Sequence, residues 1–149
     1  MLAALDLRLL RLLRTRGHRP PLERAAAIAA HAGENGALWL ALATLRRDRR
    51  ALRVVLTALL ANTAIKQVVR RPRPDLGPEL APLASTISSL SYPSAHAATS
   101  FAGAGALGRT PALYCVAAVM AATRPYLGVH YPSDVLAGAA LGWAVERIA

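Results

Sequence analysis

The chain of 149 residues contains one cysteine, one lysine and one phenylalanine, and only 5% of it is aromatic. The lone Cys115 lies in the apolar run 112–122. No intrachain disulfide can form and no cysteine-built zinc cluster is available, so the redox compartment stays open. Acidic residues are also scarce, eight Asp and Glu against eighteen Lys and Arg, for a formal net charge of +10. A nucleic-acid binder would gather such charge on one solvated, aromatic-studded face. Here the arginines stand at the ends of apolar stretches instead, which argues against a nucleic-acid partner and for anionic membrane lipids. A cleavable leader needs an unbroken apolar core. The N-terminal leucines are interrupted by Asp6, Arg8, Arg11 and Arg14, so the N-terminus is expected to be retained.

What the chain has in quantity is apolar surface: 54% of residues are hydrophobic, with a mean hydropathy of +0.33. That is high for a soluble domain of this length and points to a bilayer. Leu2, Leu5, Leu9, Leu12 and Leu13 fall in one arc of a helical wheel, with Arg8, Arg11 and Arg14 opposite, which predicts an amphipathic interfacial helix over 1–16. A surface helix packed on a protein core fits that stretch as well. After the breaker at 17–21, a helical run spans 22–45, interrupted by a polar cluster at 31–36. A second run, 51–69, has the roughly 20 residues that cross a bilayer. A Pro-, Gly- and Ser-rich loop fills 74–92. Further helices are predicted at 94–108, 112–123 and 132–147, the last opened by Pro132 at its first position. No internal repeat is evident. The expected architecture is all-α: a single domain over 1–149, with the interfacial helix preceding a multi-pass bundle of about five spanning helices over 22–149. The runs at 94–108 and 112–123 are short for a crossing, and a soluble helical bundle is the alternative. Few charges inside the runs and Ala/Gly stretches such as 102–106 favour close helix contact in lipid.

Alternating the runs across a membrane brings three segments to one face: Lys66 to Arg73, Tyr92 to His96, and Thr123 to Asp134. They hold the only lysine and two of the four histidines. A cluster of ionisable residues at one membrane face is a functional site by default. Singly, each piece has a plainer meaning: Lys66 and Arg73 as snorkelling cations, Ser94 as a helix N-cap, His130 and Asp134 as a satisfied polar pair. Their joint order and spacing is what chance does not supply.

Lys66 and, after six intervening residues, Arg73-Pro74, then Pro93-Ser94-Ala95-His96, then Thr123-Arg124 followed by His130 and Asp134, resemble the tripartite signature of the type 2 phosphatidic acid phosphatase superfamily, KxxxxxxRP, PSGH and SRxxxxxHxxxD. The resemblance spans 66–134. Two positions depart: Thr123 stands for serine and keeps a hydroxyl, and Ala95 stands for glycine. Alanine there costs on the order of 1 kcal/mol only if the position requires positive φ. A phosphoryl transition state spreads charge over three equatorial oxygens and needs fixed cationic donors, which Lys66, Arg73 and Arg124 can supply. Ser94 and the backbone N–H groups at Ala95 and beyond add donors at a helix N-terminus. The resemblance implies that His130 is the nucleophile, forming a phosphohistidine. It further implies that Asp134 fixes the His130 tautomer and that His96 protonates the leaving alkoxide and later activates water. Spacing alone does not say which histidine attacks. No metal and no cofactor are expected.

His31, Glu34 and Asn35 share a face at helical spacing within the first run and are expected to line a headgroup pocket. The alternative is a helix break at Gly33 and Gly36, with these polar groups bonding backbone. Among lipid and polyprenyl phosphates, a bacterial polyprenyl sugar phosphate such as decaprenylphosphoryl-5-phosphoribose is the expected substrate. Undecaprenyl pyrophosphate, phosphatidylglycerol phosphate and phosphatidic acid remain alternatives. Other classes are a vanadate-type haloperoxidase, separated by halide oxidation, and a non-enzymatic lipid-binding protein, separated by indifference to loss of His130. The expected location is the inner membrane, multi-pass. Arg46, Arg47, Arg49, Arg50, Arg53 and Arg109 favour one side as cytoplasmic; Arg8, Arg11, Arg14, Arg16 and Arg19 favour the other. Which face carries the site, and the oligomeric state, are left open.

Overall fold

The structure, a computed structural model, describes residues 2–149. The side chain of Leu2, one of the leucines of the expected apolar arc, lies outside the described residues. The chain folds as α1 (Leu2–Thr15), α2 (Pro20–Ala32), a 3-10 turn (Glu34–Gly36), α3 (Ala37–Leu45), α4 (Arg49–Val69), a 3-10 turn (Pro78–Leu80), α5 (Ala95–Ala106), α6 (Pro111–Tyr126) and α7 (Pro132–Ile148). Extended pairing among the described residues amounts to one isolated antiparallel bridge, Pro72 with Leu90. It pins the 74–92 loop back toward the end of α4, helped by backbone bonds from Arg73 N to Ser89 O and from Ser91 N to Arg71 O.

Helix α5 is the axis of the molecule and packs against α4, α6 and α7. Its sequence, AHAATSFAGAGA, explains how it can be enclosed on every side. With Ala, Gly, Ser and Thr at most positions, neighbouring backbones approach closely enough for dispersion contacts to bind the helices without large interlocking side chains. The tightest approach is to α7, where a Cβ on Gly142 would sit 2.1 Å from Ala98 O and one on Gly138 would sit 2.4 Å from Ser94 O. On the opposite flank, Trp39 of α3 is fully buried against Gly103 and donates Nε1–H to Ser100 Oγ at 2.9 Å.

The expected run 22–45 is not one helix. Asn35 (φ 49°) and Gly36 (φ 76°) both adopt the left-handed region and part α2 from α3. Gly36 bears this without strain, and asparagine is among the few other residues that visit it readily. His31, Glu34 and Asn35 therefore do not share the face of a continuous helix, and the break falls at Asn35 and Gly36.

Helix α1 also departs from expectation in its facing. Asp6, Leu10 and Arg14, at i, i+4 and i+8, are all buried, while Leu5, Leu9, Leu12 and Leu13 stay exposed. Arg14 belongs to the protein-facing stripe, donating to Ala81 O at 2.8 Å and Tyr126 O at 3.3 Å. A wheel built on hydrophobicity misassigns it because these backbone carbonyls accept from the two terminal nitrogens of the guanidinium, although its Nε has no partner among the described residues.

Among the described residues, α4 is long and apolar enough to cross a membrane by length and composition. At the far end of the bundle from the 74–92 loop, the buried Glu146 accepts from Arg50 at 3.1 Å and Arg109 at 2.8 Å, tying α7 to the start of α4 and the α5–α6 turn. The α5–α7 seam yields the first expectation. Gly142→Ala should overpack it and destabilise the fold by about 3 kcal/mol, read as a lowered thermal midpoint in detergent, whereas exposed Ala144→Gly should cost no more than about 1 kcal/mol.

Candidate active site

Three chain segments meet at the end of the bundle near the C-terminus of α4 and the N-terminus of α5. The last turn of α4 carries Lys66, and Arg70 in the left-handed region (φ 51°) ends the helix and swings Arg71 and Arg73 back over it. Ser94 caps α5, and its backbone N–H bonds Asp134 O at 2.9 Å, stitching the second segment to the third. Pro125 near the end of α6 is followed by a tight turn that delivers His130, and Pro132 opens α7 with Asp134 in its first turn.

These segments enclose a cavity of ≈ 200 Å³ whose walls include Lys66, Arg73, Ala95, His96, Arg124 and His130. Lys66, Arg124, His96 and His130 are each less than a tenth exposed. The cations are held by backbone oxygens rather than carboxylates. Lys66 Nζ donates to Leu90 O at 2.9 Å, and Arg73 donates to Ser88 O and Val129 O, each at 2.6 Å. Arg124 keeps an Nε without a hydrogen-bond partner among the described residues. Among the described residues none of the three cations forms a salt bridge with a carboxylate, so the cavity offers charged donors to a multiply charged anion.

The tautomers of both histidines follow from their partners. Arg73 Nη1 donates to His130 Nε2 at 3.1 Å, so that nitrogen presents a lone pair. The proton then sits on Nδ1, 3.4 Å from Asp134 Oδ2. His96 Nε2 lies 2.7 Å from Ala30 O and must donate to it, leaving Nδ1 as the nitrogen that can take or give a proton. Burial, aided by Arg73 and Arg124, pushes the His130 pKa down to about 3, against the opposing pull of Asp134. Burial likewise lowers that of Arg73, with Asp134 opposing.

Not every expected residue faces the cavity. Ser94 is fully buried and its hydroxyl accepts from Ala97 N, so it serves as an N-cap. Thr123 turns its hydroxyl to Met120 O at 2.7 Å. Ala95 begins α5 in helical conformation, outside the positive-φ residues, so alanine in place of glycine carries no backbone strain. Glu34 and Asn35 reach the cavity wall, while His31 is exposed and lines an adjoining recess with Glu34, His96 and Arg124.

Two participants were not anticipated from sequence. Asn62, one turn before Lys66 on α4, is fully buried on the cavity wall; its Nδ2 donates to Pro93 O at 3.0 Å, and its Oδ1 has no partner among the described residues. An amide four residues before a lone lysine in an apolar helix was the available signal. Arg71 donates to Asp134 Oδ1 at 2.8 Å and is hidden in sequence by the neighbouring arginines. The depressed His130 pKa has a signed consequence. Unfolded chains take up a proton below the ordinary value of 6.5 while the folded ring resists it to about 3, so this group's share of stability is present above pH 6.5 and lost as pH falls toward 3. The thermal midpoint of the wild type should therefore drop between pH 7.5 and 4.5 by more than that of His130→Gln.

The PAP2 superfamily model matches residues 49–149. The decaprenylphosphoryl-5-phosphoribose phosphatase of Mycobacterium tuberculosis (strain ATCC 25618 / H37Rv) is 42% identical over 142 residues, covering 87% of this chain and 80% of that protein. Among solved structures, Aquifex aeolicus LpxE superposes with a TM-score of 0.77 at 27% identity, over 97% of this chain and 93% of that one. The transmembrane PAP2 type phosphatidylglycerolphosphate phosphatase from Bacillus subtilis shares the fold, with a TM-score of 0.75 at 24% identity over 99% and 83%. With motif order, cavity and overall fold in agreement, the chain belongs to the PAP2 superfamily and is a hydrolase of phosphoric esters.

Proposed function

We propose that the chain is a multi-pass inner-membrane phosphatase that removes the terminal phosphate of a polyprenyl-linked sugar phosphate, decaprenylphosphoryl-5-phosphoribose being the best-supported substrate, through a phosphohistidine on His130. The observation that carries this is the meeting of Lys66, Arg73, Arg124 and two oppositely prepared imidazoles around one cavity. The relative at 42% identity supports the substrate class. Large apolar side chains exposed on four helices, including Ile28, Leu60, Val119 and Leu136, support a surface that faces lipid rather than water.

In the first step, His130 Nε2 attacks phosphorus and the ester P–O bond breaks. Arg73, which holds that lone pair in the empty site, turns its donor to a phosphoryl oxygen, while Lys66 and Arg124 take the others. His96 Nδ1, unprotonated in the empty site, takes the proton of the phosphomonoester monoanion and hands it to the departing alkoxide. Asp134 stabilises the positive charge that develops on the His130 ring. In the second step, His96 Nδ1 takes a proton from water, the hydroxide attacks phosphorus, the P–N bond breaks, and inorganic phosphate leaves carrying that proton from His96, with both imidazoles restored. Charge is balanced by fixed guanidinium and ammonium groups, which is the work a metal does in other phosphatases.

Glu34 and Asn35 line the cavity at the α2–α3 break, where a carboxylate and an amide can accept hydrogen bonds from sugar hydroxyls. Phosphate release from a panel of lipid phosphates by purified protein in detergent tests the whole reading. The wild type should be active with EDTA present, and His130→Ala should fall by at least about 10³-fold. His96→Ala should accumulate an acid-labile phosphoprotein, provided the substrate has a good leaving group. Release that continues in His130→Ala would end the phosphohistidine reading. Glu34→Ala should raise KM for the sugar phosphate several-fold more than for phosphatidic acid; an unchanged ratio would remove Glu34 from headgroup recognition.

A further inference from the structure

A chain of polar contacts begins on the interfacial helix, outside the three signature segments, and runs to the nucleophile. Asp6, on the inward stripe of α1, is 6% exposed, a rare place for a carboxylate unless it is paired. Its Oδ1 accepts from Ser133 N at 3.0 Å, and its Oδ2 accepts from the Ser133 hydroxyl and from Arg71 Nη2 at 2.9 Å. The other arm of the same guanidinium, Nη1, reaches Ser133 Oγ at 2.7 Å and Asp134 Oδ1 at 2.8 Å. The Arg71 guanidinium carbon lies 3.9 Å from the centroid of the Tyr131 ring, which fixes the tilt of the fork. The remaining oxygen of Asp134 accepts from Tyr131 N at 2.9 Å and faces His130 Nδ1. Although burial works against both charges, hydrogen bonds from Ser133 and Arg71 hold the Asp6 carboxyl below its usual range, and Asp6 and Asp134 raise the Arg71 pKa.

The outer face of α1 carries exposed Leu5, Leu9, Leu12 and Leu13 together with exposed Arg8 and Arg11, the composition that seats a helix among acyl chains and anionic headgroups. One face of α1 is thus made for lipid, and the other ends on the carboxylate that orients the nucleophile. We propose that Asp6 and Arg71 are positioning residues, through which the seating of α1 on the lipid surface sets the Asp134 carboxylate and hence the orientation of His130. The physical reason is that a carboxylate with only one oxygen engaged can rotate, and the ring it faces loses its fixed tautomer and aim. The inference rests on the reading of His130 as the nucleophile.

The full chain, reconstituted in vesicles of phosphatidylcholine and phosphatidylglycerol, provides the test, with rates expressed per folded molecule by thermal midpoint. Asp6→Asn should lower kcat by roughly 10- to 100-fold with KM within about two-fold, and Asp6→Glu should recover part of the loss. Asp6→Asn combined with Arg71→Lys should fall no further than the worse single variant, as members of one chain do. Leu12→Ser with Leu13→Ser, on the lipid face only, should reproduce the kcat loss. Arg14→Met, which loosens the other anchor of α1, should leave kcat near wild type. In histidine labelled with ¹⁵N, His130 should show one Nδ1–H tautomer in the wild type and a mixture in Asp6→Asn. An unchanged tautomer and kcat in Asp6→Asn, full activity in the leucine variant, or an equal kcat loss in Arg14→Met would overturn the proposal. An inactive wild type would instead sink the phosphatase reading, and the tautomer measurement would still decide whether Asp6 reaches His130.

Discussion

Two buried cations and a half-buried one facing one small cavity repel one another, and the rest of the structure is arranged to hold Lys66, Arg124 and Arg73 there without neutralising them. Like charges a few ångströms apart in a partly dehydrated site oppose folding by several kcal/mol if nothing offsets them. Carboxylates would offset them and would also cancel the field that captures an anion. The fold uses carbonyl oxygens of Leu90, Ser88 and Val129 instead, neutral acceptors that satisfy the donors and leave the charge. Of the carboxylates at the site, Asp134 is taken up by Arg71 and faces His130 Nδ1, away from the lone pair of Nε2, and Glu34 stands on the cavity wall.

Holding that arrangement requires a scaffold that does not give, and the packing of α5 supplies it. Its glycine- and alanine-rich surface brings α4, α6 and α7 close enough that even a methyl group is excluded at Gly138 and Gly142 of α7. Because the N-terminal end of α5 carries Ala95 and His96, this close packing places the His96 imidazole relative to the segment that bears His130. The bond from Ser94 N to Asp134 O fixes the same junction from the backbone side. Stability and catalytic geometry are therefore set by one seam.

The N-terminal third contributes more than anchorage. His96 is oriented by a carbonyl of α2, and the left-handed turn at Asn35 and Gly36 brings Glu34 and Asn35 to the cavity wall. An unbroken helix over 22–45 would have carried these polar groups past the site. Arg14 docks α1 on Ala81 of the 74–92 loop and on Tyr126 at the end of α6, and Asp6 docks it on Ser133 at the start of α7.

Local rules sufficed for what is local. Prolines and capping residues marked where helices begin, the small-residue runs marked which helix could be enclosed, and the order and spacing of Lys66, Arg73, His96, Arg124, His130 and Asp134 identified the chemistry. That legibility has a cause: helix periodicity and motif spacing are properties of near neighbours along the chain. Asp6 meeting Ser133, Arg71 choosing Asp134, Arg14 turning inward and Ser94 turning away from the cavity depend on carbonyls and carboxylates distant in sequence. The energy of a buried polar group is decided by whichever partner arrives in space, so only the assembled tertiary structure could determine those four assignments.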